Sequence, residues 1–311
     1  MPNSNNEERE KRMAEVYHSG TGLLNDQGIA INKSGDEIIA GEDDRKDFFE
    51  LDDQGETEAL QKRLADSTVI LTSKSSLTEQ EDGTFRLDVR PFRRSSFPSC
   101  EGERFGNQHT GGWCSGFVVG PDVIVTAGHC GETEAEIQET AYIFGFRVAS
   151  ADDPGTTIFI KDQVYFGEEL IAHDLSGSGD FAVVRVDRVI TAPGASPLPV
   201  RQSGSIGLGM NVGVIGYPSG LPVKIAFGID TVIMKDQDPW LLANLDTYGG
   251  NSGSAVFNSE GQVEGILVRG ARDYDIDHEN ACFLSNRISN SEGSEAVTKA
   301  SVWVDHIPEQ D

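Results

Sequence analysis

Between Gly249 and Ser254, three glycines and two serines surround Asn251, immediately before the apolar run Ala255, Val256 and Phe257. A serine hydroxyl is a weak nucleophile until a base takes its proton, and the tetrahedral oxyanion that follows needs donors already aimed at it. Backbone N–H groups are the simplest donors. Gly250 can turn its amide inward with no side chain in the way, so the N–H groups of Gly250 and Ser252 are the expected oxyanion donors, with Ser252 as nucleophile. Gly, Ser and Asn also gather in plain turns, so the reading depends on a base and an orienting acid elsewhere in the chain.

The candidate base is His129, in the stretch 114–130 that reads CSGFVVGPDVIVTAGHC. It directly follows a β-rich run and precedes Cys130, whereas His18, His109, His173, His278 and His306 lie in polar or terminal settings. The candidate acid is Asp180, with a polar run before it and the apolar run Phe181-Ala-Val-Val-Arg-Val186 after it. A carboxylate at the buried end of a strand can accept an imidazole Nδ1 proton and hold the useful tautomer. Asp174 and Asp187 are nearby but lack that double setting. The order His129, Asp180, Ser252 does not suit an α/β-hydrolase, whose nucleophile comes first.

The elements that must position these groups are short. Segments 67–73, 116–120, 123–128, 141–148, 156–160, 180–186, 210–218, 224–233, 254–258 and 262–270 are β-rich runs bounded by Gly, Pro and polar turns, which predicts an all-β sandwich or barrel. Segment 294–307 is the candidate for a terminal helix, and no internal repeat is evident. Residues 1–37 are polar and poor in aromatics, as expected of a flexible leader, and the composition changes at Ile38. The acidic block 35–58 and the polar stretch 78–112 read as surface insertions.

The chain has 311 residues, 37% of them hydrophobic, enough for a sizeable core. Its 25 basic against 51 acidic residues leave a net charge of −26, which repels phosphate backbones and anionic lipid, so neither nucleic acid nor membrane is an expected partner. No apolar run is long enough for a membrane span, and the opening residues have no apolar signal core. The four cysteines have no C-x-x-C spacing, which argues against zinc or thioredoxin-like redox chemistry. Of three possible connectivities, Cys114 with Cys130 closes a loop of about 15 residues, worth roughly 3 kcal/mol, and leaves Cys100 with Cys282. Such bridges need an oxidising compartment, outside the cell or in a periplasm. Asp273, Asp275, Asp277 and Glu279 alternate as calcium ligands can, but His278 stands where an EF-hand loop wants glycine, so an exposed acidic loop is expected and no cofactor.

The stretches around His129, Asp180 and Ser252, with Gly216-Tyr-Pro218 and the segment 38–47 reading IIAGEDDRKD, resemble the chymotrypsin-fold serine peptidases, and among them the bacterial glutamyl endopeptidases. The resemblance spans most of 38–270. It implies two six-stranded antiparallel β-barrels, at about 60–190 and 195–290 of a peptidase domain 38–311, with a His-Asp-Ser triad in the cleft and protein or peptide substrates across both halves. It also implies a proenzyme matured near Glu37 or Ile38. Asn251 stands where trypsin-type enzymes carry the aspartate that captures the new α-ammonium, so activation differs from theirs. Implied pocket positions are Asp246, Thr247, Leu267 and Gly270. Leu267 replaces the histidine expected of a glutamyl enzyme, and Asp246 lies where trypsin-type enzymes bind Arg or Lys. Cleavage after Arg or Lys is therefore expected; the alternatives are glutamyl preference or a catalytically silent binding module. Arg269 could pair with Asp246 or receive an acidic side chain.

Overall fold

A computed structural model describes residues 23–24, 30–31, 39–92, 99–270, 273–293 and 295–309. The chain divides into two units, 1–35 and 36–311. In the first, Leu23–Leu24 pairs antiparallel with Ala30–Ile31. Most of the expected leader, with Glu37 and Ile38, lies outside the described residues.

The larger unit is built from strands in two groups. The chain enters through β1 (Arg45–Asp47) and helix α1 (Glu56–Asp66). Then come β2 (Thr68–Ser73), β3 (Cys114–Gly120), β4 (Val123–Thr126), β5 (Thr140–Phe144), β6 (Val164–Asp174) and β7 (Phe181–Val186). These six strands close into an antiparallel barrel in the order β3-β4-β7-β6-β5-β2. Every residue of β3 and β4 is buried, which is why both read as unbroken apolar runs rather than as alternating ones.

The second group is β8 (Val212–Gly216), β9 (Lys224–Ala226), β10 (Ile233–Gln237), β11 (Trp240–Ala243), β12 (Ala255–Asn258), β13 (Val263–Arg269) and β14 (Glu295–Lys299). Together with β1 they form one eight-stranded sheet, ordered β10-β11-β14-β13-β12-β8-β9-β1. The first six curl into a half-barrel, with Asn211, just before β8, bridging Val232, just before β10, and β9 and β1 extend the sheet beyond β8. Val214, Leu241, Leu245, Val256, Leu267 and Val297 belong to its apolar core.

Two expectations are refined. Segment 294–307 is not helix throughout: Glu295–Lys299 is strand β14, paired with β11 and β13, and the short terminal helix is α2 (Ala300–Trp303), followed by a 3-10 turn at Val304–His306. A run containing Val297 and Thr298 fits a two-sided buried strand better than a helical stripe. Nor is the acidic block purely surface. β1 pairs with β9, and Arg45 lies buried against the Tyr248 ring, gripped by Asp43 through two bonds of 2.8 Å. Within the polar stretch, Phe92 and Gln108 are likewise buried.

The barrel and the second sheet are joined at the Ser252 loop. Trp303 of α2 is fully buried, its ring edge-on to Phe117 of β3 at 5.9 Å. Ser115 of β3 donates its N–H to the Ser252 carbonyl (2.8 Å) and its hydroxyl to the Gly250 carbonyl (2.8 Å).

Candidate active site

β4 ends at Thr126 and the chain turns through a short 3-10 segment, Gly128–Cys130. A Cβ on Gly128 would strike the Asp174 carbonyl and lie 3.0 Å from the Phe181 N, so only glycine lets this turn pass so close to β6 and β7. That proximity delivers His129 to Asp180. His129 Nδ1 lies 2.9 Å from Asp180 Oδ2, and the His129 backbone N–H donates to Asp180 Oδ1 at 3.1 Å. Asp180 is buried, and its carbonyl accepts from the Thr298 hydroxyl of β14 at 3.0 Å. The rival acids are spent locally: Asp174 caps its own turn on Ser176 and Ser178, and Asp187 pairs with Arg188. His173 lies beneath, its Nε2 3.1 Å from the Gly128 carbonyl, a support the sequence reading set aside.

The Ser252 loop approaches from the second sheet. Its carbonyl takes the Ser115 N–H and sits 3.6 Å from Cys130 Sγ, adjacent to His129 in the chain. Cys130 is bridged to Cys114, and Cys100 to Cys282, as the spacing predicts. Gly253 has φ +89°, and a Cβ there would run into the Ser115 carbonyl and the Thr126 hydroxyl. One of the glycines is thus required for close approach of the serine loop to the strand that delivers the histidine. Gly250, at φ +102°, is a second, packed against Tyr217, Ser219 and Gly220 backbone. A cavity of about 330 Å³ opens beside His129, lined also by Trp113, Cys130, Glu132, Glu136 and Glu139.

The imidazole and carboxylate are in direct contact, and the Ser252 carbonyl is bonded to Ser115 of β3, the strand paired with β4, and touches the disulfide sulfur of the residue after His129. Residues 114–266, from the head of β3 to within β13, match the family model of the trypsin-like peptidase domain, and all three side chains fall inside that stretch. This stretch is similar to the trypsin-like serine peptidases. Glutamyl endopeptidases of Staphylococcus aureus are related to it: that of strain MW2 is 25% identical over 185 residues, covering 57% of this chain and 51% of the relative, and that of strain N315 is equally similar. The chain thus spans about half the length of the curated relatives it matches. Among solved structures, a Glu endopeptidase in complex with MPD aligns over 87% of this chain and 97% of its own, at 17% identity and a TM-score of 0.48. The atomic-resolution structure of HBP aligns over 79% and 90%, at 11% identity and the same TM-score of 0.48.

The four expected pocket positions part company. Asp246 is 3% exposed, and its two oxygens accept the N–H groups of Ala40 (2.9 Å) and Asp44 (2.7 Å). Burial pushes its carboxyl up to about 7 against the pull of those two donors. It anchors the incoming chain, each of its oxygens holding one backbone N–H of the segment 40–44. Leu267 is also not a pocket residue: its side chain is fully buried in the second core, and its backbone seats Gly253 and Ser254. Arg269 is apart from Asp246, its guanidinium 4.4 Å over the Trp240 ring, with burial lowering its pKa and Asp180 opposing.

Thr247 and Gly270 do meet, on a residue the sequence reading assigned to a helix. The Thr247 hydroxyl donates to Glu295 Oε2 at 2.9 Å, and the Glu295 carboxylate packs so closely on Gly270 that no Cβ would fit. Glu295 is fully buried at the head of β14. Farther along, Asp277 accepts the N–H groups of Glu279 and Asn280, and Asp273 that of Gly249.

Proposed function

We propose that the protein is a serine endopeptidase working through His129, Asp180 and Ser252. The observation that carries this reading is the pair of hydrogen bonds between His129 and Asp180, made beside a serine loop fastened to Ser115 of β3, the neighbour of β4. The Ser252 hydroxyl attacks the peptide carbonyl while His129 Nε2 takes its proton. Asp180 holds the Nδ1 proton and stabilises the imidazolium. The oxyanion accepts from the Gly250 and Ser252 N–H groups, His129 returns the proton to the leaving amine, and the C–N bond breaks to leave an ester on Ser252. Water, deprotonated by His129, then releases the acid and restores the enzyme.

The preference is for Lys or Arg before the cleaved bond, and the carboxylate that selects it is Glu295 rather than Asp246. Glu295 lies against Thr247, five residues ahead of the nucleophile in the chain, and Gly270 just past β13. A desolvated carboxylate favours a cationic side chain, and the net charge of −26 adds a long-range pull on basic peptides. The protein is made as a proenzyme. Ile39, next to the processing point, is fully buried, and Ala40 is bonded to Asp246, so maturation is coupled to seating of this segment. The two disulfides fit an enzyme that works outside a reducing cytoplasm.

The test is a peptide library digested by the processed protein and by Ser252→Ala. Cleavage after Lys and Arg by the first alone is expected. Cleavage after Glu refutes the pocket assignment, and no cleavage by the processed protein refutes the enzyme.

A further inference from the structure

We infer that Ser219, Asp273 and Tyr274 are positioning residues that hold the peptide unit between Gly249 and Gly250 in the orientation the oxyanion donor needs. The inference rests on the serine-peptidase reading above and adds the groups that keep its oxyanion site formed.

A trans peptide is planar, so the Gly249 carbonyl and the Gly250 N–H point in opposite directions. Between two glycines no side chain resists rotation of that plane, and a half-turn would exchange the donor for a carbonyl oxygen that repels the oxyanion. The orientation must therefore be imposed from outside. The Gly249 carbonyl accepts the Ser219 N–H at 2.6 Å, which commits the Gly250 N–H to the other side. The Gly249 N–H donates to Asp273 Oδ2 at 2.9 Å, and the Gly250 carbonyl accepts the Ser115 hydroxyl at 2.8 Å. The flanking peptides are pinned as well as the central one.

Ser219 is itself held in an unfavourable conformation. Its φ of +54° and ψ of 20° are left-handed, where a residue with a side chain is uncommon. Its hydroxyl is hydrogen-bonded to the Tyr274 hydroxyl. Tyr274 packs on Tyr248 and Phe283 with ring centroids 4.7 and 4.8 Å away. It opens the strand Tyr274–Asp277, which pairs with Cys282–Ser285, and Cys282 is bridged to Cys100. Residues 219 and 273–274, from separate parts of the chain, thus converge with Ser115 on the consecutive peptide units around Gly249 and Gly250, and Asp273 places a carboxylate oxygen on a backbone N–H there.

The test compares Asp273→Ala, Asp273→Asn and Tyr274→Phe with the parent, all checked for folding by circular dichroism. Removing one oxyanion donor costs about 10²–10³-fold in kcat, and loosening its support should cost Asp273→Ala about 10–100-fold, with KM within about twofold. Asp273→Asn, which keeps an acceptor oxygen, should recover most of that loss, and Tyr274→Phe should lose several-fold. Affinity for a peptide aldehyde, whose hemiacetal oxygen uses the same donors, should fall in step with kcat, while affinity for the product peptide stays constant. An unchanged kcat in both Asp273→Ala and Tyr274→Phe overturns the inference, as does a loss confined to KM, or equal loss of aldehyde and product affinity. If one of the two does not fold, the other decides by the same criteria. A parent protein that neither cleaves peptides nor reacts with fluorophosphonate fails at the level of the proposed function, a result distinct from any of these.

Discussion

Asp180 grips His129 twice, one oxygen on the imidazole Nδ1 at 2.9 Å and the other on the backbone N–H at 3.1 Å. The pair of contacts fixes both the position of the ring and its tautomer. In Asp180→Asn the amide oxygen can keep the backbone contact, but the amide nitrogen then faces Nδ1 and forces the proton to the wrong side. The expected outcome is a folded protein whose kcat falls by roughly 10⁴-fold with little change in KM. Steady-state kinetics on a basic peptide ester check it, and near-parent turnover would count against the role of Asp180.

Glu295→Gln keeps the size of the side chain and its acceptor for Thr247 while removing the charge. A charge-assisted hydrogen bond contributes about 1.5–3 kcal/mol, so kcat/KM for Lys and Arg substrates should drop about 10–100-fold. Labelling of Ser252 by a fluorophosphonate without a basic side chain should be unaffected. Equal losses on both readouts would mean that Glu295 supports the fold and not the choice of substrate.

The candidate catalytic stretches are legible because each is local: a histidine after a buried strand, an aspartate before one, a serine among glycines. Pocket chemistry is not, since it depends on partners far along the chain. Nothing near Asp246 announces that Ala40 and Asp44, some 200 positions away, will fill both its oxygens. Glu295 was hidden for a related reason: the run around it is ambiguous alone, and only pairing with β11 and β13 makes it strand. The acidic block near residue 45 misled similarly, because charge predicts exposure unless a partner such as Asp43 on Arg45 is brought with it.

The buried carboxyl of Asp246 gives a pH signature. Its folded value, pushed up to about 7, lies above the ordinary 3.8, so the native state holds this proton more tightly than the unfolded chain. The associated stability is full below about pH 4 and is lost as pH rises through 7, at about 1.4 kcal/mol per pH unit of displacement. Asp246→Asn, which does not titrate, should be clearly less stable than the parent at pH 5, with the gap narrowing by pH 8. Urea denaturation at the two pH values measures this, and a gap that stays constant would contradict it.

Gly253→Ala probes the seat of the serine loop. The new Cβ meets the Ser115 carbonyl and the Thr126 hydroxyl at φ +89°, so both sterics and backbone conformation oppose it. A loss of about 2–4 kcal/mol in unfolding free energy is expected, together with loss of activity. A midpoint equal to the parent's would show that the loop is not held as closely as described.

The most direct measurement of the central claim is the site at which a fluorophosphonate attaches, read by peptide mapping and mass spectrometry on the processed protein. The account predicts one adduct, on Ser252, absent from Ser252→Ala and strongly slowed in His129→Ala. An adduct on another residue, or labelling that survives both substitutions, would contradict it.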